Sequence, residues 1–265
     1  MQKLLIALLA GIGIWLLVLF LLQDKLILFP GQAPPGFAGN VGSRDWAAFG
    51  EHRGVVFEPA EAATGTVGTV MVFHGNAGIA EDRAGMARPF LARGLRVVLQ
   101  EYPGYGRRPG KASMRTALAA GHDDFAAAHK TWGGRFYLVG ESFGAGVAAQ
   151  VAGANPDKVA GVLLITPWNS LKALVNEKFG GIPVGFLLKE KLDSAAALKS
   201  FRRPVIIVAA GADELIPPRH AQALARSLPG AAYQELTGTG HNDWLYRMTP
   251  QDWDRCLHPL LAAPK

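Results

Sequence analysis

Phe136-Tyr137-Leu138-Val139-Gly140-Glu141-Ser142-Phe143-Gly144-Ala145-Gly146 is the stretch that decides the fold. Its first four residues read as a strand, and the Ala-rich run from Phe143 to Ala154 reads as a helix. Between them lies Gly-x-Ser-x-Gly. A strand that turns directly into a helix needs small residues on both sides of the turn. The strain of the turn then holds the serine oxygen out at the carboxyl edge of the sheet. The first amides of the helix point at the same place, where they stabilise developing negative charge. In a chain with 32 glycines the five letters alone carry little weight. Their position between this strand and this helix gives them meaning.

Working outward, the pattern alternates between short apolar runs and amphipathic stretches. Strands are expected at 54–57, 66–73, 95–99, 135–139, 159–165, 205–210 and 233–236. Helices are expected at 81–93, 113–130, 143–154, 217–227 and 243–260. Continuous apolar strands separated by helices imply an α/β fold, with a mostly parallel central sheet covered on both faces. Residues 168–193 interrupt this rhythm. They carry Phe179, Ile182, Val184, Phe186 and Leu187, which suit a lid or a substrate wall.

A serine hydroxyl is a poor nucleophile until a base takes its proton. His241, in Gly238-Thr239-Gly240-His241-Asn242-Asp243, follows the last expected strand and is the candidate base. The acid that orients it should follow the strand ending at Ala210. Asp213 is the first choice there, with Glu214 as its neighbour and Asp243 as a remote alternative better suited to capping the last helix. The oxyanion needs two backbone donors. Phe143 follows the serine and supplies one. Asn76, in His74-Gly75-Asn76-Ala77-Gly78 after the strand ending at Phe73, supplies the other. His74, Tyr105, Trp168 and Phe179 are the candidate pocket residues.

Residues 4–22 carry no charge and are rich in Leu and Ile. They make about 28 Å of helix, enough to cross the hydrocarbon core of a bilayer. The run is long for a cleaved signal and lacks small residues at its end. Residues 1–25 therefore read as an uncleaved transmembrane signal anchor, 26–43 as a Pro/Gly-rich tether, and 44–265 as one catalytic domain containing the 168–193 insertion. A short flank with Lys3 favours an exported domain, periplasmic in a bacterium. The apolar run also accounts for part of the 49% hydrophobic content and the mean hydropathy of +0.15.

The lone Cys256 excludes an intrachain disulfide and a thiolate zinc site. No metal is expected. A net charge of +6 suits anionic lipid as well as nucleic acid, but no motif points to a nucleic-acid partner. Gly104 to Lys111 imitates a phosphate loop, yet Tyr105 stands where its first glycine belongs and Ala112 where Ser or Thr belongs. Arg107 and Arg108 are then expected in solvent or near lipid. Gly144-Ala145-Gly146 lacks the third glycine of a dinucleotide site, having Ala149 there.

The order Ser142, Asp213, His241 resembles that of the α/β-hydrolases. More narrowly, the chain resembles the membrane-anchored branch named for a fungal bud-emergence homologue. The matching pieces are Leu26-Ile27-Leu28-Phe29-Pro30 after the anchor, His74 to Gly78, Tyr102-Pro103-Gly104-Tyr105-Gly106, the serine turn, Asp213 to Pro218, and Gly240 to Asp243. The resemblance covers essentially the whole chain. It implies an α/β-hydrolase fold and a serine hydrolase that needs no cofactor, acting on acyl esters, thioesters or lysophospholipids. The expected partners are a small acyl substrate and membrane lipid; oligomeric state is left open. The rival readings are a serine aminopeptidase, with Glu141 or Glu177 holding the substrate amine, and a silent membrane-bound scaffold.

Overall fold

The computed structural model describes residues 1–34, 37, 39, 42–60 and 66–262. In chain order its elements are α1 (Gln2–Ile27), β1 (Phe29–Pro30), β2 (Ser43–Ala48), β3 (Glu51–Phe57), β4 (Gly68–Phe73), β5 (Ala77–Gly78), α2 (Ala87–Leu91), β6 (Leu95–Gln100), α3 (Met114–Trp132), β7 (Phe136–Glu141), α4 (Phe143–Ala154), β8 (Val159–Ile165), α5 (Leu171–Lys178), α6 (Ser194–Leu198), β9 (Val205–Ala210), α7 (Pro218–Ser227), β10 (Ala232–Leu236), α8 (Trp244–Arg247) and α9 (Pro250–Leu261).

An eight-stranded sheet runs β10-β9-β8-β7-β4-β6-β3-β2. The β10 to β6 pairings are parallel, while β3 and β2 are antiparallel to their neighbours. The strands are apolar along their whole length because successive side chains enter different cores. Met71 and Phe73 of β4 pack with α3, α4, α6 and α7, while Val70 and Val72 pack with α2, α8 and α9. Val162 and Leu164 of β8 divide from Leu163 and Ile165 in the same way. Truncating such a side chain, Leu138 to Ala for instance, costs about 2–5 kcal/mol. Cys256 lies in the second core, and burial pushes its thiol up to about 12.

Several elements differ from expectation. β2 reads Ser-Arg-Asp-Trp-Ala-Ala, without the apolar alternation that announces a strand, because it is the exposed edge of the sheet. The helix expected over 81–93 is a 3₁₀ segment, Ala80–Met86, followed by the short α2. The closing helix is two helices. Pro250 cannot continue a helix and instead begins α9, with Thr249 accepting from the Asp252 N–H as its cap. Asp243 precedes α8, but its side chain makes no capping hydrogen bond.

α1 is a single 26-residue helix with no buried residue in its apolar run, and by length and composition it can cross a membrane. The expected tether is only partly described, since residues 35, 36, 38, 40 and 41 lie outside the described set. Its first residues do not hang free. Phe29 and Pro30 pair with Ala77 and Gly78, and Gln32 pairs with Gly106. The chain leaving α1 is thus stitched onto the loop after β4.

Candidate active site

Parallel strands bring the loops after β4, β7, β9 and β10 to one carboxyl edge. Ser142 stands between β7 and α4 with φ +52° and ψ −114°, a conformation L residues rarely adopt. The flanking glycines make that turn possible. A Cβ on Gly140 would lie 2.3 Å from the Gly144 carbonyl oxygen, and one on Gly144 would lie 2.1 Å from the Phe73 carbonyl oxygen. The turn therefore presses directly on the end of β4.

His241 Nε2 lies 3.0 Å from Ser142 Oγ, and its Nδ1 lies 2.6 Å from Asp213 Oδ2. The carboxylate can only accept, so Nδ1 carries the proton and Nε2 is free to accept from the serine. The other Asp213 oxygen accepts from the amides of Leu215 (2.9 Å) and Ile216 (2.7 Å). Its side chain is 1% exposed. Glu214 and Asp243 are exposed and take no part in this chain of bonds.

Asn76 and Phe143 both border the cavity that holds Ser142 and His241. Phe143 opens α4, so its N–H has no acceptor within the helix. Asn76 is fixed from three sides. Its Nδ2 donates to the Ile27 carbonyl (2.6 Å), and its carbonyl accepts from the Phe29 N–H (2.8 Å) and the Tyr105 hydroxyl (2.8 Å).

The cavity has a volume of about 440 Å³. Of the candidate pocket residues, Trp168 and Phe179 line it, together with Leu171, Leu174 and Val184 of the insertion. His74 and Tyr105 do not. His74 is held beneath the loop by Glu101, with Nε2 3.0 Å from Oε1, and its ring lies 4.4 Å from that of Tyr102. Glu101 also accepts from the Ala80 N–H (3.1 Å), and Gly106 is close enough that a Cβ there would sit 2.1 Å from its carboxylate. Tyr105 turns its hydroxyl onto Asn76, and burial raises its pKa. Both residues support the site from below rather than facing a substrate.

Arg107 and Arg108 also depart from expectation. Arg107 pairs with Asp45 and Glu81. Arg108 is buried, and its Nη1 donates to Asp124 Oδ2 (2.5 Å) and to the Glu101 carbonyl (2.6 Å). A buried guanidinium needs such partners to offset lost hydration. Sequence reasoning also missed the Arg83–Glu141 pair, which holds the residue before Ser142 through two bonds of 2.5 and 3.0 Å. A charged residue beside the serine of an otherwise apolar turn was the available signal.

The polar groups of the wall are already engaged. Gln23 bonds the carbonyls of Phe20 and Leu187 and the Lys189 amide. Lys178 Nζ donates to the Glu214 carbonyl. Asn76, Ser142 and His241 are left as the polar groups facing an apolar space.

This geometry is that of the α/β-hydrolases. Residues 68–187 match the family model described as alpha/beta hydrolase fold. An uncharacterised protein of Mycobacterium tuberculosis, Rv2307c, is 32% identical over 234 residues, covering 83% of this chain and 81% of its own. The chain belongs to the α/β-hydrolase family. Among its relatives is the Schizosaccharomyces pombe protein bem46, 27% identical over 193 residues, covering 66% of this chain and 62% of its own. The solved structure of a Pyrococcus furiosus esterase superposes with a TM-score of 0.66 at 14% identity, covering 89% of this chain and 97% of that one. That likeness concerns the fold. Together these matches identify a hydrolase fold with esterase-like neighbours, preceded by an apolar helix able to span a membrane.

Proposed function

We propose that the protein is a membrane-anchored serine hydrolase that cleaves carboxylic esters or thioesters of apolar acyl groups. The observation that carries this reading is the hydrogen-bonded series Asp213–His241–Ser142 at the wall of an apolar cavity. In the reaction Ser142 Oγ attacks the acyl carbonyl and gives its proton to His241 Nε2. The imidazolium is stabilised by Asp213. The carbonyl oxygen becomes an oxyanion facing the Asn76 and Phe143 amides. Collapse breaks the bond to the leaving group, which takes the proton from His241. Water then gives a proton to His241, adds to the acyl-enzyme, and releases the acid with Ser142 restored.

α1 supplies the anchor. The peptidase reading needs a free carboxylate to hold an amine. Glu141 is occupied by Arg83, and Glu177 by Arg219 and His220, which favours the ester reading.

A fluorophosphonate probe tests the assignment. Ser142→Ala should abolish labelling and lower ester hydrolysis by at least about a thousandfold. Labelling at the wild-type rate would remove Ser142 from the mechanism. Faster turnover of aminoacyl p-nitroanilides than of p-nitrophenyl esters would favour the peptidase.

A further inference from the structure

The last turns of α1 serve more than the membrane. Leu19, Gln23, Leu26 and Ile27 line the same cavity as Ser142 and His241. Their spacing puts them on one stripe of the helix. Gln23 on that stripe is buried and bonds the insertion at Leu187, whereas Leu17 lies on another face and does not line the cavity. Across the cavity stand Leu174, Val175 and Phe179 of the insertion. The Trp15 and Phe179 rings meet edge-on with centroids 6.0 Å apart. Trp15 lies seven residues, or about 10 Å of helix, inside the end of the uncharged run at Leu22. The insertion therefore reaches alongside the part of α1 that is apolar enough for hydrocarbon, and it carries the exposed Ile182 and Phe186.

Charges gather one turn closer to the domain. Lys189 Nζ lies 5.0 Å from the Phe20 ring centroid and 4.0 Å from Asp24 Oδ2. An apolar zone followed by a charged collar is the order met on passing from hydrocarbon to headgroups. The cavity joins the two, from Leu19 to Ser142. A membrane lipid is built in the same order, with its acyl chain in the hydrocarbon and its ester at the headgroup boundary.

We infer that α1 is one wall of the acyl site, and that the substrate is a long-chain acyl ester or thioester of bilayer-lipid type whose chain lies between α1 and the insertion. This rests on the serine-hydrolase reading above. The same helix end also holds the oxyanion loop, through the bond from Asn76 to the Ile27 carbonyl. Anchor, chain site and oxyanion donor are one mechanical unit.

The full-length protein in phosphatidylcholine nanodiscs provides the test. The readout is the ratio of kcat/KM for p-nitrophenyl dodecanoate to that for p-nitrophenyl acetate, with active sites counted by fluorophosphonate labelling. Leu19→Trp and Leu26→Trp each fill the wall and should lower the ratio at least tenfold. Leu17→Trp, facing away from the cavity, should leave it within twofold of wild type. If neither tryptophan variant labels, Leu19→Ala decides, since loss of chain contacts should also lower the ratio. A ratio unchanged in the labelled wall variants overturns the inference and leaves the serine hydrolase standing. A wild-type protein that takes no label and cleaves neither ester overturns the hydrolase reading itself.

Discussion

The two halves of the candidate site are built by opposite means. The acid–base half is local. Asp213 is held by amides two and three residues away, and the Gly211 and Ala212 amides bond the carbonyls of Leu236 and Thr239 in the base loop. Adjacent parallel strands, β9 and β10, set the distance between those loops. The oxyanion half is assembled from afar. Asn76 is gripped by Ile27, 49 residues away, and by Tyr105, 29 residues away, and the loop rests on the buried His74–Glu101 pair. The first half follows from any correct folding of the sheet. The second also requires the chain leaving α1 to be in place. The loop bearing Asn76 is thus tied to the apolar helix that is long enough to span a membrane.

The largest break in this comparison is Asp213→Asn. The asparagine oxygen can still accept from Leu215 and Ile216, so the loop should persist and Tm should stay within a few degrees. Its amide, however, now faces His241 Nδ1 and forces the tautomer that cannot take the serine proton. The expected loss in kcat is about 10³–10⁴, read by steady-state ester hydrolysis beside a thermal melt. A loss below tenfold would move the acid role elsewhere, Glu214 being the nearest carboxylate.

Asn76→Ala probes the other half. The backbone N–H that meets the oxyanion remains, and only the bond to the Ile27 carbonyl is lost. We expect kcat to fall about tenfold to a hundredfold through misplacement of that donor, with KM within about twofold. Stability should fall by about 1 kcal/mol. Kinetics in nanodiscs give both parameters. An unchanged kcat would mean that the loop keeps its shape without α1, and the mechanical link would fail.

The same division governs what could be read from the sequence. β7, the serine turn and α4 are announced by local pattern, and α4, β8 and β9 fall at their expected limits, because a strand buried on both faces has a continuous apolar signature. The three residues of the series Asp213–His241–Ser142 were legible for the same reason: each follows a recognisable strand. β2 was not, since an edge strand such as Ser43–Ala48 needs no apolar face. Nor were the true positions of His74 and Tyr105. Glycines at 75 and 78 announce close approach of a loop, but they do not say that His74 turns down onto Glu101, or that Asn76 reaches back to the first helix. Partners tens of residues apart leave no periodicity. Leu26 and Ile27 continue α1, whereas residues 28–32, at the start of the expected 26–43 tether, read so because prolines and glycines break helix. Such residues also suit an extended strap bonded to β5 and Gly106, and only tertiary contacts distinguish the two.

The smallest expected effect compares the halves through pH. A partly buried histidine stands beside each. His52, near the oxyanion half, is held below its ordinary 6.5 by burial and by Arg107, against the opposing pull of Asp45, Glu81 and Glu101. His220 joins α7 to the insertion, with Nδ1 2.8 Å from Asn169 Oδ1 and Nε2 3.2 Å from Glu177 Oε2. Burial lowers it too, against the pull of Glu177. In the unfolded chain these imidazoles bind protons from about pH 6.5 downward, while in the fold they resist. Their contribution to stability is therefore intact above that pH and declines as pH falls through it. Asp45, Glu58, Glu177 and Asp252 are lowered as well, but their contribution is intact above their ordinary values of 3.8 and 4.5 and is lost only as pH falls below them. Burial lowers His122 in α3 as well, against the pull of Asp123, so between pH 7.5 and 5.5 the melt should report these three histidines, with Tm falling by about a few degrees. His52→Gln and His220→Gln should each flatten part of that slope. A Tm that holds or rises over this range would show that neither imidazole is kept neutral by folding. A slope flattened by only one variant would identify which half of the site resists protonation.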